Sequence, residues 1–236
     1  MKLIVAKDRD NVIQELMNII KTVSDESIAK DKVFNIGLSG GSLGSFLATG
    51  LPNLKTDLSK WRLFFCDERV VPEDSNDSTY GFYKTTLIGT TNLKEDQFVK
   101  IKQGLSAEEA AKDYTEQIRK HFPDAVIPRF DLLLLGMGPD GHTCSLFPDH
   151  PILDENDRWI APITDSPKPP PSRITMTFEI VNNAKNCIFA MCGKEKAPMV
   201  KRILQDKEDL PAGRVKPTNG EVYWILDDSA AGDLNK

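Results

Sequence analysis

Four consecutive leucines, Leu132 to Leu135, lie between Asp131 and Gly136. A run this apolar offers no polar face to water. Bounded so closely, it reads as a strand buried on both faces of a parallel sheet. The chain then breaks into Gly136-Met137-Gly138-Pro139-Asp140-Gly141, and His142 follows at once. In open α/β sheets, ligands bind just beyond the carboxyl ends of the strands. A histidine on a glycine-rich turn at that point is a candidate for chemistry, because such loops carry sites disproportionately.

The rest of the chain fits around that strand. Short strands are expected at 2–7, 33–38, 61–66, 158–163, 173–178, 186–192 and 221–226. Helical spacing of apolar residues from Val12 to Val23 marks a helix with Asp8 or Asp10 as N-cap. Further helices are expected from Leu43 to Leu51, Tyr80 to Leu87 and Ala197 to Leu204. Ser106 and Glu109 form a capping box for another, which runs to His121. Strands alternating with helices indicate an α/β fold with a mainly parallel sheet, doubly wound with helices on both faces. The proline-rich stretch 166–172 is too short for a linker and reads as a rigid loop. A single domain over residues 1–236 is expected.

Composition excludes several function classes. The net charge of −5 argues against a general nucleic-acid surface but leaves room for a local basic pocket. Four cysteines without CxxC spacing make no disulfide framework in a chain of this length. The apolar run at the N-terminus is too short for a secretory signal, and no window approaches a membrane span. The expectation is a reduced, cytoplasmic protein with no membrane partner.

Several motifs sit at expected strand ends. Ser39-Gly40-Gly41-Ser42 joins a strand to a helix. There, glycines admit close backbone approach and helix amides favour an anion. The alternative is a plain turn with Ser42 as N-cap. Asp67-Glu68-Arg69 ends the next strand, so that Arg69 can face an anion with a carboxylate holding it, or form part of a solvated charge cluster. Lys194 and Lys196 precede a helix, one reaching an anion and the other solvated. Of the other histidines, His121 follows a helix end, where its charged form suits the dipole, and His150 lies in a loop. The literal GxGxxG at 136–141 is followed by only six residues before Pro148. That is too short for a crossover helix, so a dinucleotide reading is set aside. No HExxH or paired Cys/His spacing marks a metal site, and no GxSxG marks a serine nucleophile. Water activated by a base remains.

Taken in order, SGGS at 39–42, FFCDERVVP at 64–72, DSTYG at 77–81, FDLLLLGMGPDGHTCSLFPDHP at 130–151, SPKPPPSRITMTF at 166–178 and GKEKA at 193–197 resemble the 6-phosphogluconolactonase family. The resemblance implies hydrolysis of 6-phospho-D-glucono-1,5-lactone in the oxidative pentose phosphate pathway, with neither cofactor nor metal. It implies the Rossmann-like sheet shared with glucosamine-6-phosphate deaminases and ribose-5-phosphate isomerases. The deaminases typically continue DGHIAFNEP and carry DEY; HTCSLFP and DER here fit the lactonase side. Thr79 departs from the DSNY pattern of most bacterial members and is given no role. On this resemblance, Ser39, Gly40, Gly41 and Ser42 hold the substrate phosphate with Arg69, Arg173 and Lys194. His142 is the general base and Asp140 orients it. Backbone amides of Gly138, Gly141 and Thr143 hold the oxyanion. A monomer acting on a small molecule, without nucleic acid, is expected. A sugar-phosphate deaminase or isomerase on the same fold, or a non-catalytic sugar-phosphate sensor, stays open.

Overall fold

The computed structural model describes residues 1–235. Six strands form one sheet: β1 (Lys2–Ala6), β2 (Phe34–Leu38), β3 (Trp61–Phe65), β5 (Leu132–Leu135), β8 (Asn186–Met191) and β9 (Glu221–Asp227). Their order is β1-β9-β8-β5-β2-β3, and every pairing is parallel. The helices α1 (Arg9–Asp31), α2 (Ser42–Gly50), α3 (Thr79–Leu87), α4 (Ala107–His121), α5 (Phe178–Val181) and α6 (Ala197–Leu204) lie between strands in the chain. From β2 the chain steps outward to β3, then returns to β5 on the opposite side of β2 and continues through β8 to β9. The winding direction reverses between β2 and β5. In a doubly wound sheet the crevice opens at that switch point, above the strands' carboxyl ends.

The leucine run is β5, and all four of its residues are fully buried. Burial of each leucine contributes about 1.5–3 kcal/mol. Asp131, at the opposite end of the strand, is also buried; it accepts from Asn35 N at 2.8 Å and from Lys185 Nζ at 2.7 Å. Its charge is thereby matched, and the entry into β5 is pinned to β2. Helix α1 starts where Asp8 accepts from Asn11 N at 3.0 Å. It runs on past Val23 because Ser24 and Ser27, too polar to extend the apolar pattern, are small enough to bury on the same face. The outer edge of β3 is closed by Val99, whose N–H donates to Leu63 O at 2.8 Å, and by Tyr114 of α4: Phe65 N donates to the Tyr114 hydroxyl at 2.7 Å, and that hydroxyl donates to Val99 O at 3.1 Å.

The expectation of a mainly parallel sheet holds, with one addition. β4 (Asp67–Arg69), β6 (Ile160–Ile163) and β7 (Arg173–Met176) form a separate antiparallel sheet in the order β4-β7-β6. Asp67-Glu68-Arg69 is therefore itself a strand rather than the loop after one. Cys66 joins the two sheets: its N–H donates to Leu38 O at 2.8 Å, while its carbonyl accepts from Met176 N at 2.7 Å. Partner choice across such a hinge depends on chain bending that local residue pattern does not encode.

Candidate active site

A cavity of about 180 Å³ opens at the switch point, bounded by the turns after β2 and β5, by β4 and β7, and by the start of α6. Its wall includes Ser39, Gly40, Gly41 and Ser42 on one side and Gly136, Met137, Gly138 and His142 on the other. Asp67, Arg69, Cys144, Arg173 and Lys196 complete it.

The turn after β2 is open. Gly41, not Ser42, caps α2; it has φ 77° and ψ −147°, a region essentially restricted to glycine, and no side chain caps the helix. Among the described residues, the N–H groups of Gly40 and Gly41 donate to no protein acceptor. The first amides of α2 also lack intrahelical partners. Ser39 Oγ is buried and unpaired, while Tyr83 holds the turn in place by donating to Ser39 O at 2.8 Å. Thr79 Oγ1 lies beneath Gly40.

The turn after β5 is closed. Gly138 N donates to His142 O at 2.9 Å, and Gly141 N donates to Gly138 O at 3.0 Å. Thr143 is fully buried and bridges to Leu146. For Gly138 and Gly141 the expectation of an amide facing a developing oxyanion is thus corrected: the turn consumes those two donors in holding its own shape. Gly138 has a different task. A Cβ there would lie 2.0 Å from the His142 ring and 2.8 Å from Asp140. The imidazole packs directly on this glycine and, from another direction, on Phe147, with ring centroids 4.8 Å apart.

Asp140 Oδ1 lies 2.5 Å from His142 Nδ1. Burial raises the Asp140 carboxyl, but its bonds to His142 and Lys168 outweigh that and hold it at about 2. Burial depresses the His142 imidazole below its usual value; Asp140 opposes this and Lys168 adds to it. At neutral pH an ionised carboxylate therefore faces a neutral ring, and Nδ1 must donate. The other nitrogen, Nε2, carries the free lone pair. Among the described residues Nε2 has no hydrogen-bond partner, and His142 lines the cavity.

Cations gather on the remaining walls of a chain whose net charge is negative. Arg69 and Arg173 stand directly opposite each other on β4 and β7. Like charges in that register repel. Arg69 Nη1 donates to Asp77 O at 2.8 Å, and its Nε is buried without an acceptor. The neighbouring carboxylate, Glu68, holds Arg69 by its backbone N–H rather than its guanidinium. It also accepts from Thr79 N and Tyr80 N, which fixes the start of α3. Arg173 is buried, and most of its donors are spent on the carbonyls of Lys168, Pro169 and Pro170 and on Ser145 Oγ. Lys194 is exposed and lines no part of the cavity, so its placement at an anion is corrected. Lys196 lines it instead and donates to Met137 O at 3.0 Å. Both lysines lie on the 3-10 turn Lys194–Lys196, where residues two apart face different ways.

The sequence reading missed Asp67 and Lys168. Strand alternation offered a signal for the first, since residues 67 and 69 share one face of β4. Lys168, on the proline loop, gave no pattern to find. The other histidines take structural roles. His121 is kept neutral by burial and packs edge-on to Phe64, and His150 accepts from Ile152 N at the start of the 3-10 turn Pro151–Asp154. Among the described residues, no group of three or more His, Cys, Asp or Glu side chains is arranged to hold a metal ion. No described helix is long and apolar enough to cross a membrane.

Comparison with known proteins finds relatives that match most of the chain. A 6-phosphogluconolactonase from Homo sapiens is 51% identical over 205 residues, covering 84% of this chain and 80% of that protein. A Drosophila melanogaster protein named "Probable 6-phosphogluconolactonase" is 41% identical over 237 residues, covering 99% of this chain and 96% of its own. The solved structure of 6-phosphogluconolactonase from Trypanosoma cruzi superposes with a TM-score of 0.85 at 28% identity, covering 100% of this chain and 97% of that one. The family profile described as glucosamine-6-phosphate isomerases/6-phosphogluconolactonase matches residues 7–224, and this chain belongs to that family.

Proposed function

We propose that this protein hydrolyses 6-phospho-D-glucono-1,5-lactone to 6-phospho-D-gluconate. The observation that carries the reading is the pairing of a neutral imidazole, its Nε2 free, with a cationic, amide-lined wall across the same cavity. The relatives' names supply the reaction, and the site supplies residues suited to it. The phosphate dianion docks on the Gly40 and Gly41 amides and the start of α2, and its charge relieves the opposition of Arg69 and Arg173. Lys196 adds a further cation, and the buried donors Ser39 Oγ and Arg69 Nε gain an acceptor. Anchored at this remote group, the lactone presents C1 to the other wall.

There, His142 Nε2 takes a proton from water as its oxygen attacks C1. The tetrahedral intermediate collapses with cleavage of the bond from C1 to the ring oxygen, and the imidazolium returns its proton to that oxygen. Asp140 holds the ring and stabilises the transient charge. We infer that the chain works as a cytoplasmic monomer, one domain over residues 1–236; Cys66, shared by both sheets, supports the single unit.

General acid–base work of this kind is worth about 10²–10⁴ in rate. His142→Ala should fall by that factor toward the spontaneous rate of lactone opening. Activity near wild type would remove the base from this reading, and ammonia release from glucosamine 6-phosphate would redirect it to deamination.

A further inference from the structure

Asp140 Oδ1 serves two partners. Besides His142 Nδ1, Lys168 Nζ reaches it at 3.0 Å and lies 3.3 Å from Nδ1 itself. With Nδ1 protonated, the approach of Lys168 to the ring is a contact between two donors sharing one acceptor. Lys168 does not line the cavity; it stands on the Nδ1 side of the ring, away from the face that meets substrate. Its backbone is fixed in turn. Arg173 donates to the carbonyls of Lys168, Pro169 and Pro170 at 3.0–3.1 Å, and Ser166 Oγ donates to Lys168 O at 2.8 Å. A side chain with four rotatable bonds is thus launched from a stapled loop toward a single oxygen.

We propose that Lys168 is a positioning residue for the reaction. It shares the Asp140 carboxylate with His142, fixing the plane of the ring and limiting how strongly that carboxylate favours the imidazolium. An unshared aspartate at this distance would hold the histidine in its charged form, with no lone pair on Nε2. Lys168 cancels part of that field while leaving the orienting hydrogen bond intact. The charged groups facing His142 are Asp140 on its own turn, Lys168 on the proline loop and Asp67 on β4. The first and third favour the imidazolium, so Lys168 is the counterweight. Arg69, Arg173 and Lys196 line the same cavity and form no hydrogen bond to the ring among the described residues.

This inference rests on His142 as the base, and its test separates the two. The pH dependence of kcat/KM for the phosphorylated lactone is compared among wild type, Lys168→Met and Lys168→Arg, below neutral pH, where spontaneous opening is slow. Loss of Lys168 should raise the pH at which His142 protonates. The acid limb of Lys168→Met should therefore move up by about one pH unit, while Lys168→Arg keeps it in place. The imidazole signal of His142, followed by NMR with labelled histidine, should shift by the same amount in Lys168→Met, whether or not that variant turns over. An unmoved titration, or a uniform loss of rate at every pH, would overturn the role of Lys168. Loss of the base reading would appear separately, as full activity in His142→Ala.

Discussion

The turns after β2 and β5 look alike in sequence. Both are glycine-rich, both follow a wholly buried strand, and both face the same cavity. They differ in the fate of their backbone donors. After β2 the amides of Gly40 and Gly41 have no acceptor among the described residues, and a Cβ on Gly41 would meet none of them within 4 Å. After β5 the amides of Gly138 and Gly141 are committed within the turn, and a Cβ on Gly138 would strike the histidine ring. The first turn keeps its donors free, and the second spends them on its own scaffold. A glycine-rich strand end therefore says only that backbone comes close to something; whether that is a ligand or the protein's own side chain depends on which donors remain free.

The sharpest way to break this contrast is to add one methyl group to each turn. Gly138→Ala should abolish most of the activity, by about 10²–10⁴ in kcat, because the ring must leave Asp140 to make room. Gly41→Ala meets no atom, only an unfavourable backbone region costing about 1–3 kcal/mol. It should act through KM and thermal stability, with kcat largely kept. Steady-state kinetics on both variants decides; a kcat collapse in Gly41→Ala would erase the distinction. A smaller effect is expected where the two lysines differ. Lys196→Ala should lower kcat/KM about tenfold, at the low end for a bond to a charged group, while Lys194→Ala should leave both constants at wild type.

Much of this site was legible before the fold was known. The leucine run located β5, and the residues after it located His142 and Asp140, because a strand that apolar has few places to go. The capping box at Ser106 and the strand-to-helix turn at Ser39–Ser42 were equally direct, since local chemistry determines them. What remained hidden depends on chain bending. The antiparallel sheet of β4, β7 and β6 exists because the chain turns at Cys66. That sheet brings Arg173 opposite Arg69 and lays the proline loop over Asp140. Lys168 came from a loop with no periodicity, and the choice of Lys196 over Lys194 from the rotation of one short turn. The spent amides of Gly138 and Gly141 follow from a turn whose internal bonding glycine content alone does not specify.

The central claim is a division of labour: one turn binds phosphate and the other performs the chemistry. It is tested most directly by kcat/KM for glucono-1,5-lactone with and without its 6-phosphate, in Arg69→Ala and His142→Gln. The account predicts that Arg69→Ala loses rate on the phosphorylated lactone while the plain lactone is almost unaffected, whereas His142→Gln loses the same factor on both. Equal losses on the two substrates in Arg69→Ala, or a loss confined to the phosphorylated one in His142→Gln, would contradict it.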